Sequence, residues 1–166
     1  MMVKWLVIAG LVIGLDRVTK IIAAASLDLG EYVPVLPVFG WVHLNNTGAA
    51  FSMFADAGGI QRWLFVLLAI GFSVYLIFEL RKIAVPTSIV ERLAAWGYAL
   101  ILGGAIGNMW DRAYQGFVVD FILVHYDDSY FPAFNVADSA ITIGAGLWII
   151  SMIMESRQAR RARAEQ

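Results

Sequence analysis

Three uncharged stretches dominate this sequence: sixteen residues from Trp63 to Phe78, eighteen from Leu93 to Trp110, and sixteen from Ser139 to Met154. A helix needs about 20 mostly apolar residues to cross the hydrocarbon of a bilayer, within a range of roughly 17–25. Each stretch reaches that length once the charged side chains at its ends extend toward the headgroups. A fourth stretch, Trp5 to Leu15, has only eleven residues. It becomes long enough if residues 5–27 form one helix with Asp16, Arg17 and Lys20 inside it. The alternative is a cleavable signal peptide, with Lys4, an apolar core and Ala23-Ala24-Ala25 as the cleavage site. Three charges between core and alanines do not suit that role, and a retained helix with a polar patch near its far end explains them better.

Composition points the same way. The chain is 60% hydrophobic and 15% charged, which excludes a water-soluble globule, a disordered chain and a coiled coil. A net charge of -1 provides no basic field to draw nucleic acid. With no cysteine, a disulfide framework, a zinc-thiolate site and a thiol nucleophile are all excluded. The expected fold is therefore an all-α polytopic membrane protein, a single domain over residues 1–166 with four spans at about 5–27, 61–80, 92–110 and 138–155. Eight of the twelve basic residues then fall on one side: Lys4, Arg81, Lys82, Arg92, Arg157, Arg160, Arg161 and Arg163. Basic residues mark the cytoplasmic side. Both termini and the basic tail 156–166 are expected there, with outer loops 28–60 and 111–137 on the opposite face. In the first outer loop, apolar runs flank Asn45-Asn46-Thr47-Gly48. This pattern predicts a small hairpin or β-sheet between helices 1 and 2, and a loop is expected between helices 3 and 4.

The polar residues at span ends carry what chemistry there is. A charged side chain at the bilayer centre costs about 2.5–3.5 kcal/mol on insertion scales. Asp16 and Lys20 are four apart, on one helix face, which suits an intrahelical ion pair, a functional role at a polar site, or both. The run Gly107-Asn108-Met109-Trp110-Asp111-Arg112 reads as a helix end, with Arg112 complementing the dipole and Asp111 free to pair with a base. Asp120 stands in the apolar run Val118-Val119-Asp120-Phe121, where an unpartnered carboxylate is costly. Asn135 and Asp138, three apart, resemble a capping box before the last span. His43 and His125 show no metal-ligand spacing, and no serine stands in a nucleophile motif. Asp120 and Asp138 remain, both on the outer side. Two carboxylates held close share a proton, one acting as base on a water and the other as acid toward a carbonyl. On the residues alone, a small proton-coupled transporter and a non-enzymatic membrane scaffold stay open beside a protease.

Taken together, these motifs resemble those of the lipoprotein signal peptidases (signal peptidase II), a family of bacterial four-span aspartyl proteases. The resemblance covers nearly the whole chain. It is carried by Asp16 with Lys20, by Asn46-Thr47-Gly48-Ala49-Ala50-Phe51, by the run from Gly107 to Arg112, by Val118-Val119-Asp120-Phe121, and by Phe134-Asn135-Val136-Ala137-Asp138. Met109-Trp110 stands where the family often has a Leu-Ile or Leu-Val pair. The resemblance implies that Asp120 and Asp138 are the catalytic dyad. It implies that Asn46, Gly48, Asn108, Arg112 and Asn135 line the site, and Asp16 matches a polar position of the first span. No cofactor or metal is implied. The implied partners are membrane lipid and a prolipoprotein whose cysteine carries diacylglycerol, with the cut just before that cysteine. The implied setting is the bacterial inner membrane, the protein a monomer with its site toward the outer face.

Overall fold

The computed structural model describes residues 2–48 and 59–164. These form, in chain order, helix α1 (Val3–Ser26), strands β1 (Tyr32–Leu36) and β2 (Phe39–Asn46), helices α2 (Ile60–Lys82) and α3 (Ile89–Gln115), strands β3 (Val118–Tyr126) and β4 (Ser129–Tyr130), and helix α4 (Val136–Ala164). Helices α2, α3 and α4 are long and apolar enough to cross a membrane, with mean hydropathies of 2.2, 1.4 and 1.7. Helix α1 is as long, at 24 residues, but carries the three charges noted above. Its exposed face is nonetheless apolar: Leu11, Leu15, Val18 and Ile22 point outward, while Asp16 and Lys20 are buried.

Helix α3 is the hub and touches the other three helices. Apolar side chains gain little by meeting one another inside lipid, so helices there associate where small residues let backbones approach. Gly97 on α3 faces Gly144 on α4. A Cβ on either would meet the other's carbonyl oxygen at 2.7 Å. Below this contact lies the main core, in which Trp5, Leu76, Leu80, Tyr98 and Leu102 are buried together. Tyr98 meets Trp148 edge to face, with ring centroids 5.3 Å apart.

The four strands form one antiparallel sheet in the order β1-β2-β3-β4. The hairpin expected between helices 1 and 2 is β1–β2, in which Tyr32 pairs with Val42 and Val33 with Trp41. The expectation of a loop between helices 3 and 4 is corrected. Helix α3 runs to Gln115 and stops at Gly116, whose φ of 88° closes its C-terminus. The chain then enters β3, which pairs with β2 from Asn46↔Val118 to Phe39↔Val124. The protein is therefore mostly helical with one small antiparallel sheet, which takes in the segment after α3 as well as the expected hairpin. The reason lies in the run Val118 to Val124, whose β-branched and aromatic residues suit a pleated, half-buried surface. At the other end, α4 continues as helix through the basic residues of the tail to Ala164. The apolar stretch Ala49–Phe54 lies outside the described residues.

The glycine contact gives a first prediction. Gly144→Leu should destabilise the folded protein by roughly 1–3 kcal/mol, because an added side chain forces α3 and α4 apart. Gly10→Ala, at a position with nothing within 4 Å, should be neutral or stabilising by about 0.5–1 kcal/mol. Thermal unfolding in detergent reads both.

Candidate active site

Asp120 sits on β3, paired in register with Leu44 on β2, and only 3% of it is exposed. A buried carboxylate needs donors, and it has two. Asn46 Nδ2 donates to Oδ2 at 2.9 Å, and Asn135 Nδ2 donates to Oδ1 at 2.7 Å. Asp138 lies in the first turn of α4. Its Oδ2 accepts from the Asn135 backbone N–H at 3.2 Å, while Asn135 Oδ1 accepts from the Asp138 N–H at 2.9 Å. This is the reciprocal capping box expected from the sequence, and it fixes the carboxylate at the positive end of the helix dipole. The other oxygen, Oδ1, accepts from Asn108 Nδ2 on α3 at 2.7 Å. Asn135, fully buried, thus touches both carboxylates at once.

The remaining residues singled out from the sequence converge on the same place. The Asn46 side-chain oxygen accepts from the Gly48 N–H at 3.0 Å, closing a tight turn that aims the amide nitrogen at Asp120. Arg112 Nη2 donates to the Gly48 carbonyl at 3.0 Å, and the Arg112 guanidinium rests 5.1 Å above the Phe65 ring. Asp16 does not reach the carboxylate pair. Its Oδ1 accepts from the Ala137 N–H at 2.8 Å, so it holds the start of α4 from below. Gly107 permits this approach, since a Cβ there would stand 2.8 Å from Asp16 Oδ2. Both histidines lie elsewhere. His43 Nδ1 is 2.9 Å from the Leu27 carbonyl oxygen, and His125 Nε2 is 3.1 Å from the Tyr32 hydroxyl. Among the described residues, no group of three or more His, Cys, Asp or Glu side chains is arranged to hold a metal ion.

Both carboxylates line a cleft of about 870 Å³, together with Asn46, Asn108 and Arg112. Its other wall is apolar and includes Phe131, Phe134, Ile141 and Ile143. Of these, sequence reasoning quoted only Phe134, as part of a motif and not as a wall of the cleft. The return of residues 131–134 beside β3 brings Phe131 and Phe134 to the cleft, and α4 supplies Ile141 and Ile143. Burial pushes the Asp120 carboxyl up from an ordinary value of 3.8 to about 6, and the nearby Asp138 charge adds to the rise against the pull of the Asn46 and Asn135 amides. The site can therefore hold a proton on Asp120. It combines a group that gives a proton, a group that takes one, and an apolar wall beside them.

The family model for signal peptidase (SPase) II matches residues 8–154. The lipoprotein signal peptidase of Teredinibacter turnerae is 48% identical over 157 residues, covering 95% of this chain and 91% of the relative. That of Pseudomonas aeruginosa is 46% identical over 160 residues, covering 95% and 92%. Among solved structures, a bacterial membrane enzyme determined by the in meso method at 2.3 Å resolution superposes with a TM-score of 0.80 at 31% identity, over 92% of this chain and 89% of that one. A second, at 1.9 Å resolution, gives a TM-score of 0.75 at 32% identity, over 90% and 92%.

The raised Asp120 carboxyl has a consequence for stability. The folded protein holds this proton up to about pH 6, whereas an ordinary aspartate releases it near 3.8. The folded state therefore binds more protons between those values, and this contribution to stability is lost as pH rises through that window. Unfolding measured at steps from pH 4 to 7 should show that decline in the wild type. The decline should be smaller in Asp120→Asn, which has no proton to release.

Proposed function

The chain belongs to the signal peptidase II family, proteases of the aspartic type, and we propose that Asp120 and Asp138 are its catalytic pair. Its reaction is the removal of signal peptides from prolipoproteins. The observation that carries the assignment is the shared Asn135, which donates to both carboxylates from one residue. Asp120, whose carboxyl is pushed up to about 6, is the resting place of the shared proton, and substrate entering the cleft removes more water and raises it further. Asp138 is the base. It takes a proton from water as the water oxygen attacks the scissile carbonyl carbon, while Asp120 gives its proton to the carbonyl oxygen. The tetrahedral intermediate then collapses. The C–N bond breaks as Asp138 gives the proton it took from water to the leaving amine of the lipid-bearing cysteine, and a hydroxyl of the intermediate returns a proton to Asp120.

Asn46, Asn108 and Asn135 hold the two carboxylates, and Arg112 ties Gly48 to the end of α3. The apolar wall with Phe131, Phe134, Ile141 and Ile143 suits the diacylglyceryl chains, since Ile143 faces outward from α4. The scissile bond thus reaches polar groups without its lipid leaving the bilayer. We read α1 as the fourth span, its apolar outer face toward lipid and its charges turned inward. Both termini are cytoplasmic in this reading, the sheet and cleft face outward, and residues 1–166 form one domain. Both carboxylates come from one chain, so a monomer suffices. A transporter or a scaffold has no need of two acids framed by asparagines, and family membership sets both alternatives aside.

A gel-shift cleavage assay in detergent tests the assignment. The wild type should cut a prolipoprotein only when its cysteine carries diacylglycerol. Asp120→Asn and Asp138→Asn should each lose about 10²–10⁴-fold in rate, the usual contribution of general acid–base catalysis. Activity surviving either substitution would remove that residue from the machinery. A metal chelator should leave the rate unchanged, and loss restored by zinc would overturn the metal-free mechanism. Because the chain has no cysteine, single cysteines report topology cleanly. One at Glu31 should react with an impermeant maleimide added outside the cell, and one at Arg161 should not.

A further inference from the structure

Asp138 belongs to a closed circuit of hydrogen bonds that runs through three helices. Its Oδ1 accepts from Asn108 Nδ2 at 2.7 Å. Asn108 Oδ1 accepts from Lys20 Nζ at 2.9 Å, and Lys20 Nζ also donates to Asp16 Oδ2 at 2.7 Å. Asp16 Oδ1 accepts from the N–H of Ala137, the residue before Asp138, and the ring closes. Lys20 Nζ also forms an ion pair with Asp111 Oδ2 at 2.8 Å, and Arg17 Nη1 meets Asp111 Oδ1 at 2.9 Å. Two cations and two acids cancel.

The circuit bears on chemistry through Asn108. Its amide has two unlike ends, a carbonyl that only accepts and an NH₂ that only donates. Flipped, it would set NH₂ against the Lys20 ammonium and its oxygen against the Asp138 carboxylate, two like-with-like contacts in a buried place. We infer that Lys20 is a positioning residue for the hydrolysis: it locks the Asn108 amide so that its NH₂ always faces Asp138, while Asp16 holds the turn that carries Asp138. This inference rests on the assignment of Asp138 to the catalytic pair. It differs from a purely structural ion pair between Asp16 and Lys20, which would act on folding and not through Asn108.

A double-mutant cycle separates the two. Lys20→Met, Asn108→Ala and the double variant are made in the full-length protein. Each is assayed for kcat and KM on lipidated prolipoprotein, with the thermal midpoint recorded. A misaimed catalytic group costs up to about 100-fold in rate. Lys20→Met should therefore lose about 10- to 100-fold in kcat, with KM within about threefold of wild type. In the Asn108→Ala background, where no amide remains to be aimed, Lys20→Met should cost no more than about a further twofold. Losses that multiply across the two sites would overturn the inference, as would a Lys20→Met kcat within about twofold of wild type. Where Lys20→Met does not accumulate, Lys20→Met with Asp111→Asn removes one cation and one acid together and is run through the same cycle. If neither folds, the cluster serves folding and the inference falls. Asp138→Asn is run alongside: activity surviving there removes the pair itself, whereas activity lost there with multiplying losses elsewhere overturns only the role of Lys20.

Discussion

Asp16, Lys20 and Asp111 are each about 1% exposed, and three charges taken out of water are tolerable only when each meets opposite charge or hydrogen-bond donors in good geometry. That requirement ties α1 to α3 and to the start of α4. Lys20 and Arg17 reach across to Asp111, and Asp16 reaches up to Ala137. Apolar packing cannot fix such a register, because one leucine face slides over another at little cost in lipid. A buried ion cluster is different. Moving α1 by one turn would take both cations from Asp111 and part Asp16 from Ala137. The small residues of α3 allow the helices close enough for the cluster to form, and the cluster then sets where along its length α1 must stop.

The site sits directly on this anchor. Asp138 is held by a local capping box and by Asn108, whose other end faces the cluster. Asp120 arrives from a different direction, on a strand that pairs with the hairpin following α1. Asn135 joins the two systems, since one buried side chain touches Asp120 while its backbone holds Asp138. The arrangement keeps two acids near each other without neutralising either with a cation. The ammonium group of Lys20 bonds to Asn108 instead of either carboxylate, so the pair remains free to exchange a proton.

Much of this was readable from residue patterns, and the parts that were not share a cause. The long apolar runs announced helices because a segment of that length and composition has few other stable states in lipid. The i,i+3 spacing of Asn135 and Asp138 announced a helix start, and the i,i+4 spacing of Asp16 and Lys20 announced an ion pair. The segment around Asp120 was recognised as a buried apolar run but expected within a loop, because nothing local shows that a strand will find β2. The apolar wall of the cleft was not foreseen either. Phe131 looks like any other apolar residue until the chain folds back beside β3, and Ile141 until α4 packs beside that return.

The sequence by itself determined the helices, the hairpin, the family and the set of polar residues around which the site is built. Each of these depends on neighbours within one or two turns or on a contiguous motif. Only the tertiary structure decided how those residues combine. Lys20 and Asn108 are 88 positions apart, Arg17 and Asp111 are 94, Asn46 and Asp120 are 74, and Asp16 and Ala137 are 121. At such separations no periodicity carries information. The pairing follows from which arrangement of packed helices leaves the fewest charges and amides buried without a partner, and that is a property of the whole fold.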